Sequence, residues 1–120
     1  MATVLVVDDE PVVRTLMTQV LQQEGFSVFT AACAAQALAV FATHRREIDL
    51  LISDIVMPGM DGPALAARLQ KECPGLPVLL MSGHCDAGQL EHGFEFLPKP
   101  FSMSELLRRV HNLASARRAA

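Results

Sequence analysis

The 120-residue chain has no long hydrophobic run, no basic excess and no paired cysteines, and each absence removes a class of function. Its longest apolar stretches fall far short of the roughly 20 residues that span a bilayer, and Met1 to Val7 lacks the basic start and extended apolar core of a secretory leader. No membrane insertion is expected. A formal net charge of -3 disfavours a phosphate-neutralising surface, so direct binding to nucleic acid is not expected either. Cys33, Cys73 and Cys85 are odd in number and widely separated, which fits neither a disulfide framework nor zinc-ligand spacing. They read as reduced thiols of a cytoplasmic protein, or of the cytoplasmic part of a membrane-bound one.

What is present is a compact composition, 51% hydrophobic and 19% charged, without disordered or collagenous bias. A chain of this length buries roughly two thirds of its unfolded surface, enough for one independently folding domain. A single domain over residues 1–120 is expected, with a core at about 3–113 and residues 114–120 as a helix end or linker.

Apolar runs and helical spacings alternate along the chain. Thr3 to Val7 reads as a strand covered on both faces. Pro11 suits a first helical turn, and Val13, Leu16, Met17, Val20 and Leu21 form a periodic stripe that Gly25 stops. Phe26 to Thr30 is the second strand, Ala34 to Ala42 the second helix and Ile48 to Ser53 the third strand. Asp61 caps a helix from about Pro63 to Glu72. Val78 to Ser82 and Phe94 to Leu97 are the fourth and fifth strands. Ser102 with Glu105 forms a capping box ahead of a buried stripe of Met103, Leu106, Leu107, Val110 and Leu113. Such alternation predicts an α/β fold with a parallel sheet and helices on both faces. Only 11 residues separate Ser82 from Phe94, Gly83, Gly88 and Gly93 among them. Since a parallel crossover needs about a dozen residues or more, the fourth helix should be shortened or missing.

Four of the apolar runs end in polar side chains suited to phosphate or metal: Asp8 and Asp9, Asp54, Ser82, and Lys99. Ligands of an open parallel sheet collect beyond the carboxyl ends of its strands, so these groups should converge. Clustered carboxylates repel one another, and a hard divalent cation relieves the repulsion through oxygen ligands. Magnesium (Mg2+) fits, with Asp9 and Asp54 as direct ligands and Asp8 acting partly through water. Lys99 supplies a compact positive charge for a phosphoryl group, and the Ser82 hydroxyl a hydrogen bond. Aspartate is an established nucleophile in phosphoryl transfer, which makes Asp54 the expected acceptor.

Taken together and in order, VLVVDDEPVVR, LISDIVMPGMDG, VLLMSG and FLPKPF resemble the response regulator receiver domain of two-component signalling, over nearly the whole chain. The resemblance implies a flavodoxin-like, doubly wound five-stranded sheet in the order 2-1-3-4-5. It implies Asp54 as phosphoacceptor, Asp8 and Asp9 as the magnesium-side acids, and the backbone carbonyl of Val56 as a further metal ligand. Ser82 is implied as the switch hydroxyl, Phe96 as the switch aromatic, Lys99 as the phosphate contact, and Lys99-Pro100 as a cis peptide. The implied partners are histidine kinases or histidine phosphotransfer domains, docking near Glu10 to Arg14 and Pro100 to Phe101. SGH at Ser82 to His84 is reminiscent of receivers attached to hybrid histidine kinases.

The switch aromatic is phenylalanine and the chain has no tyrosine, so packing rather than a phenolic hydrogen bond must carry its signal. A reduced fourth helix puts in doubt the dimerisation or target face that typical members build there. Such a domain is a signalling switch with its own phosphorylation and dephosphorylation chemistry, not a turnover enzyme. Two other readings stand beside it: a small aspartyl-phosphate hydrolase, and a receiver-like binding module that works without phosphorylation. Against the hydrolase, Val56 occupies the position two residues after Asp54 where a second carboxylate would be needed. His44, His84, His92 and His111 show no ligand spacing; His44, His92 and His111 read as surface residues, the resemblance places His84 at a position flanking the phosphorylation site, and the arginines near helix ends read as solvated.

Overall fold

The computed structural model describes residues 2–82 and 94–119, with the side chains of the last helix through Ser115. The elements are β1 (Thr3–Val7), α1 (Pro11–Gln23), β2 (Ser27–Ala31), α2 (Ala34–His44), β3 (Leu50–Asp54), α3 (Gly62–Glu72), β4 (Val78–Ser82), β5 (Glu95–Pro98) and α4 (Met103–Ala119). All four strand pairings are parallel and the order is β2-β1-β3-β4-β5, the doubly wound arrangement expected. Strand and helix bounds lie within about two residues of those expected. The short crossover after Ser82, with Gly83, His84, Cys85, Gly88, His92 and Gly93, lies outside the described residues. No helix among the described residues is long and apolar enough to cross a membrane.

Because successive strand side chains point to opposite faces, the near-continuous apolar strands feed two separate cores. Leu5, Val7, Leu51 and Leu80 face α2 and α3, where Ala37, Phe41, Leu65 and Leu69 cover them. Val4, Val6, Leu50, Ile52, Leu79 and Met81 face α1 and α4, meeting Met17, Leu21, Leu106 and Val110. The central strands β1, β3 and β4 are thereby held rigidly, and their carboxyl ends form a fixed rim.

Local signals explain the helix ends. Gly25 takes a positive φ of 95° after α1, and the amides of Gly25 and Phe26 return to the carbonyls of Gln22 and Leu21, closing the helix. Asp61 caps α3 by accepting from the Ala64 amide at 2.9 Å. At α4 only half of the expected capping box forms. Ser102 Oγ accepts from the Glu105 amide at 3.1 Å, but the Glu105 carboxylate pairs with Arg108 and Arg109 instead of reaching back.

Two side-chain expectations are corrected. Leu16 is 46% exposed and does not join the buried stripe of α1, which rests on Met17 and Leu21. Arg109 is not simply solvated; it bridges α4 to β5, donating to the Phe96 carbonyl at 3.1 Å and pairing with Glu95 at 3.4 Å. His111 is a surface residue as expected, but it lies 3.5 Å from Glu24 and its ring leans on Phe26.

Phe41, fully buried beneath the sheet, gives a direct test of this packing. Phe41→Ala should lower unfolding stability by about 3–5 kcal/mol, measured by urea titration followed by circular dichroism.

Candidate functional site

The strand ends converge as the parallel topology requires. Asp8 follows β1 directly, and its amide donates to the Ala31 carbonyl at 3.1 Å, continuing the ladder with β2 beyond the strand. Its main-chain carbonyl accepts from Arg14 Nη1 at 2.7 Å, and its Oδ1 accepts from the Glu10 amide at 2.9 Å. Asp8 is fully buried, yet Oδ2 accepts no hydrogen bond among the described residues. The nearest cation to it among the described residues is Lys99 Nζ, 3.6 Å away.

Asp54 closes β3 and is likewise buried. Lys99 Nζ lies 3.4 Å from its Oδ2 and 3.9 Å from Glu10 Oε1, so one ammonium faces three carboxylates. Lys99 is placed by its own backbone: it follows β5, its amide donates to the Ser82 carbonyl at 3.0 Å, and the peptide to Pro100 is cis. Ser82, at the end of β4, is buried and registers with Pro98. Phe96 stands two residues earlier on β5, partly buried against the core under α2 and α3.

Oxygen atoms of Asp8, Glu10 and Asp54 all lie within 4.8 Å of one another, a group able to hold a metal ion. Asp9 is exposed and stands outside that group, although its charge still reaches Asp54. Val56 is 67% exposed on the loop after β3. The strand-end pattern therefore brings Asp8, Asp54, Ser82 and Lys99 to one rim, with Asp9 and Val56 on the solvent side of it.

Burial is the main reason the Asp54 carboxyl titrates above the ordinary carboxylate range; Lys99 opposes the shift, and the charges of Asp8 and Asp9 add to it. Burial also works against the Lys99 ammonium, but Asp8, Asp54 and Glu10 outweigh it and hold its pKa above the usual lysine value. The two shifts describe one imbalance. Lys99 has more negative charge around it than it needs, and each acid has less positive charge than it needs. Carboxylate oxygens with an unpartnered buried atom among them suit a hard divalent cation.

Three residues of the site escaped the strand-end reading. Glu10 is the third acid of the DDE run and was legible as such, but the direction of its side chain was not. Arg14 ties α1 to the Asp8 carbonyl, and nothing in its helical position signals that bond. Gly62 begins α3 against the back of the phosphoacceptor candidate: its amide donates to the Ile55 carbonyl at 2.8 Å, and a Cβ there would stand 2.3 Å from the Asp54 carbonyl oxygen. Its place after a capping aspartate was the available clue.

The sign of the Asp54 shift fixes a pH dependence. The folded state binds this proton more readily than the unfolded state, so Asp54 adds stability as pH falls through its raised pKa and subtracts it at neutral pH. Asp54→Asn should therefore raise the melting temperature by a few degrees at neutral pH without divalent cations. The gain should shrink in acid, as read by circular dichroism melts across pH.

Comparison with known proteins agrees with this geometry. Residues 4–111 match the profile of the response regulator receiver domain. The sensor kinase CckA of Brucella abortus is 38% identical over 117 residues, covering 93% of this chain and 12% of the kinase. The probable transcriptional regulatory protein TcrX of Mycobacterium tuberculosis is 37% identical over 116 residues, covering 92% of this chain and 49% of that protein. The chain thus spans half or less of the length of these curated relatives. A response regulator receiver domain protein from Clostridium thermocellum superposes with a TM-score of 0.93 at 27% identity, over 99% of this chain and 98% of that one. The receiver domain of the hybrid histidine kinase CckA does so with a TM-score of 0.83 at 36% identity, over 94% and 99%. The chain belongs to the response regulator receiver domain family, the phosphoaccepting modules of two-component signalling.

Proposed function

We propose that this chain takes a phosphoryl group from a phosphohistidine onto Asp54 in a magnesium-dependent reaction and thereby switches a partner or an attached domain. The observation that carries the reading is the buried Asp54 carboxylate with Lys99 Nζ 3.4 Å from it and an under-neutralised acid beside it. In the transfer an Asp54 oxygen attacks phosphorus in line, the O–P bond forms as the N–P bond breaks, and the leaving imidazole takes its proton from solvent. No separate general base is needed, because positioning and charge neutralisation dominate phosphoryl transfer. Asp8, Asp9 and Asp54 with the Val56 carbonyl would hold magnesium, which when bound supplies positive charge against the phosphoryl oxygens. Lys99 would contact the same oxygens. Ser82, at the rim of β4, is the hydroxyl to be drawn to the acyl phosphate, and Phe96 the aromatic that fills the space it leaves.

The domain acts as a switch and not as a turnover enzyme on free substrates. Intact-mass spectrometry after incubation with MgCl2 and acetyl phosphate should show one phosphoryl adduct that is labile in alkali and absent from Asp54→Ala. Steady hydrolysis without an adduct would identify a hydrolase instead, and no modification would identify a phosphorylation-independent binding module. Magnesium should also raise the melting temperature, because it binds the folded acid cluster and not the unfolded chain.

The donor is a histidine kinase or histidine phosphotransfer domain, docking along the start of α1 and the loop at Pro100 to Phe101. Supporting this, Val12 is 80% and Leu16 46% exposed beside Pro11, an apolar strip next to Glu10 at the mouth of the site. Aspartate at this strip would place an uncompensated charge in an apolar contact. Val12→Asp should slow phosphotransfer from a phosphohistidine protein by about tenfold or more while leaving phosphorylation by acetyl phosphate unchanged.

A further inference from the structure

We infer that Glu10 is an additional carboxylate of the divalent-cation site, acting from its solvent side together with Asp8 and Asp54. The inference rests on the proposed reading of this cluster as a cation site, and it adds a residue that the family pattern does not assign.

Glu10 is held in place by its backbone. Its amide is bonded to Asp8 Oδ1 at 2.9 Å, and Pro11 restricts it to extended geometry, with φ -93° and ψ 112°. Glu10 occupies the cap position of α1, but its side chain makes no capping hydrogen bond. The carboxylate turns instead to the rim, where Oε1 lies 3.9 Å from Lys99 Nζ and the group falls within 4.8 Å of Asp8 and Asp54 oxygens. An acid cluster alone would signify nothing. Here Asp8, fully buried and a member of the same group, has its Oδ2 without a hydrogen bond among the described residues, and Lys99 at 3.6 Å is too distant to supply one.

Charge gives the reason the third acid matters. Three carboxylates facing one ammonium leave a surplus of two negative charges, the amount a divalent cation neutralises. Without Glu10 the surplus at this point halves. Because Glu10 is 63% exposed along its side chain, it can move onto a hydrated ion without breaking core packing, directly or through one of the waters that magnesium retains.

Isothermal titration of MgCl2 into the whole chain tests this. Glu10→Gln keeps size and exposure while removing the charge, and Glu47→Gln removes an exposed acid beside His44, outside the cluster. Glu10→Gln should weaken magnesium binding by about tenfold, as loss of a supporting group around a metal does. Glu47→Gln should bind like the unsubstituted chain. Without magnesium, the melting temperature of Glu10→Gln should equal or exceed that of the unsubstituted chain, because a repelling charge has gone. Equal affinity in Glu10→Gln and the unsubstituted chain would overturn the inference alone, as would equal weakening in both variants. Absence of magnesium binding by the unsubstituted chain would overturn the cation-site reading, and this inference with it.

Discussion

One ammonium shared among too many carboxylates is the constraint on which the rest of this molecule depends. Lys99 lies within 4 Å of Asp8, Glu10 and Asp54, and no second cation reaches the Asp8 or Asp54 side chain among the described residues. Burial at the strand rim is the main reason Asp54 resists ionisation; Lys99 opposes the shift, and the charges of Asp8 and Asp9 add to it. Such a site costs stability. The two apolar cores, one on each face of the sheet, offset that cost and keep the acids together when electrostatics alone would separate them. Incomplete neutralisation is also what suits the rim to a divalent cation, which carries the positive charge these acids lack.

The fold was largely legible because its signals are local. Apolar five-residue runs, a proline at the start of α1, a glycine at its end and an aspartate before α3 each act through their immediate neighbours. The convergence of Asp8, Asp54, Ser82 and Lys99 was legible too, since parallel strands necessarily deliver their carboxyl ends to one edge. What could not be read depends on directions set by tertiary contact. Adjacent acids are alike in sequence, and only the turn from Asp8 into Pro11 decides that Glu10 and not Asp9 lies with Asp8 and Asp54 in the group of oxygens. Gly62 matters through a backbone approach from another element. Leu16 fits the helical stripe by spacing but stays 46% exposed among the described residues.

The same rim is tied to the edge of the sheet through covalent and hydrogen-bonded steps that leave little slack. The Lys99 amide is bonded to the Ser82 carbonyl, so a pull on the ammonium acts on the end of β4 as well as on β5. β5 is a four-residue edge strand paired on one side only, and Phe96 on it is just partly buried. Among the described residues, Arg109 supports it from α4, reaching the Phe96 carbonyl and the Glu95 carboxylate. β1 and β3, by contrast, are paired on both sides and covered on both faces. A change of charge at Asp54 therefore meets stiff resistance at the centre of the sheet and weak resistance at β5, where the ladder is short and half-supported. Among the described residues the acid cluster thus sits at the doubly paired centre of the sheet, and β5, joined to it through Lys99, is the shortest strand and is paired on one side only.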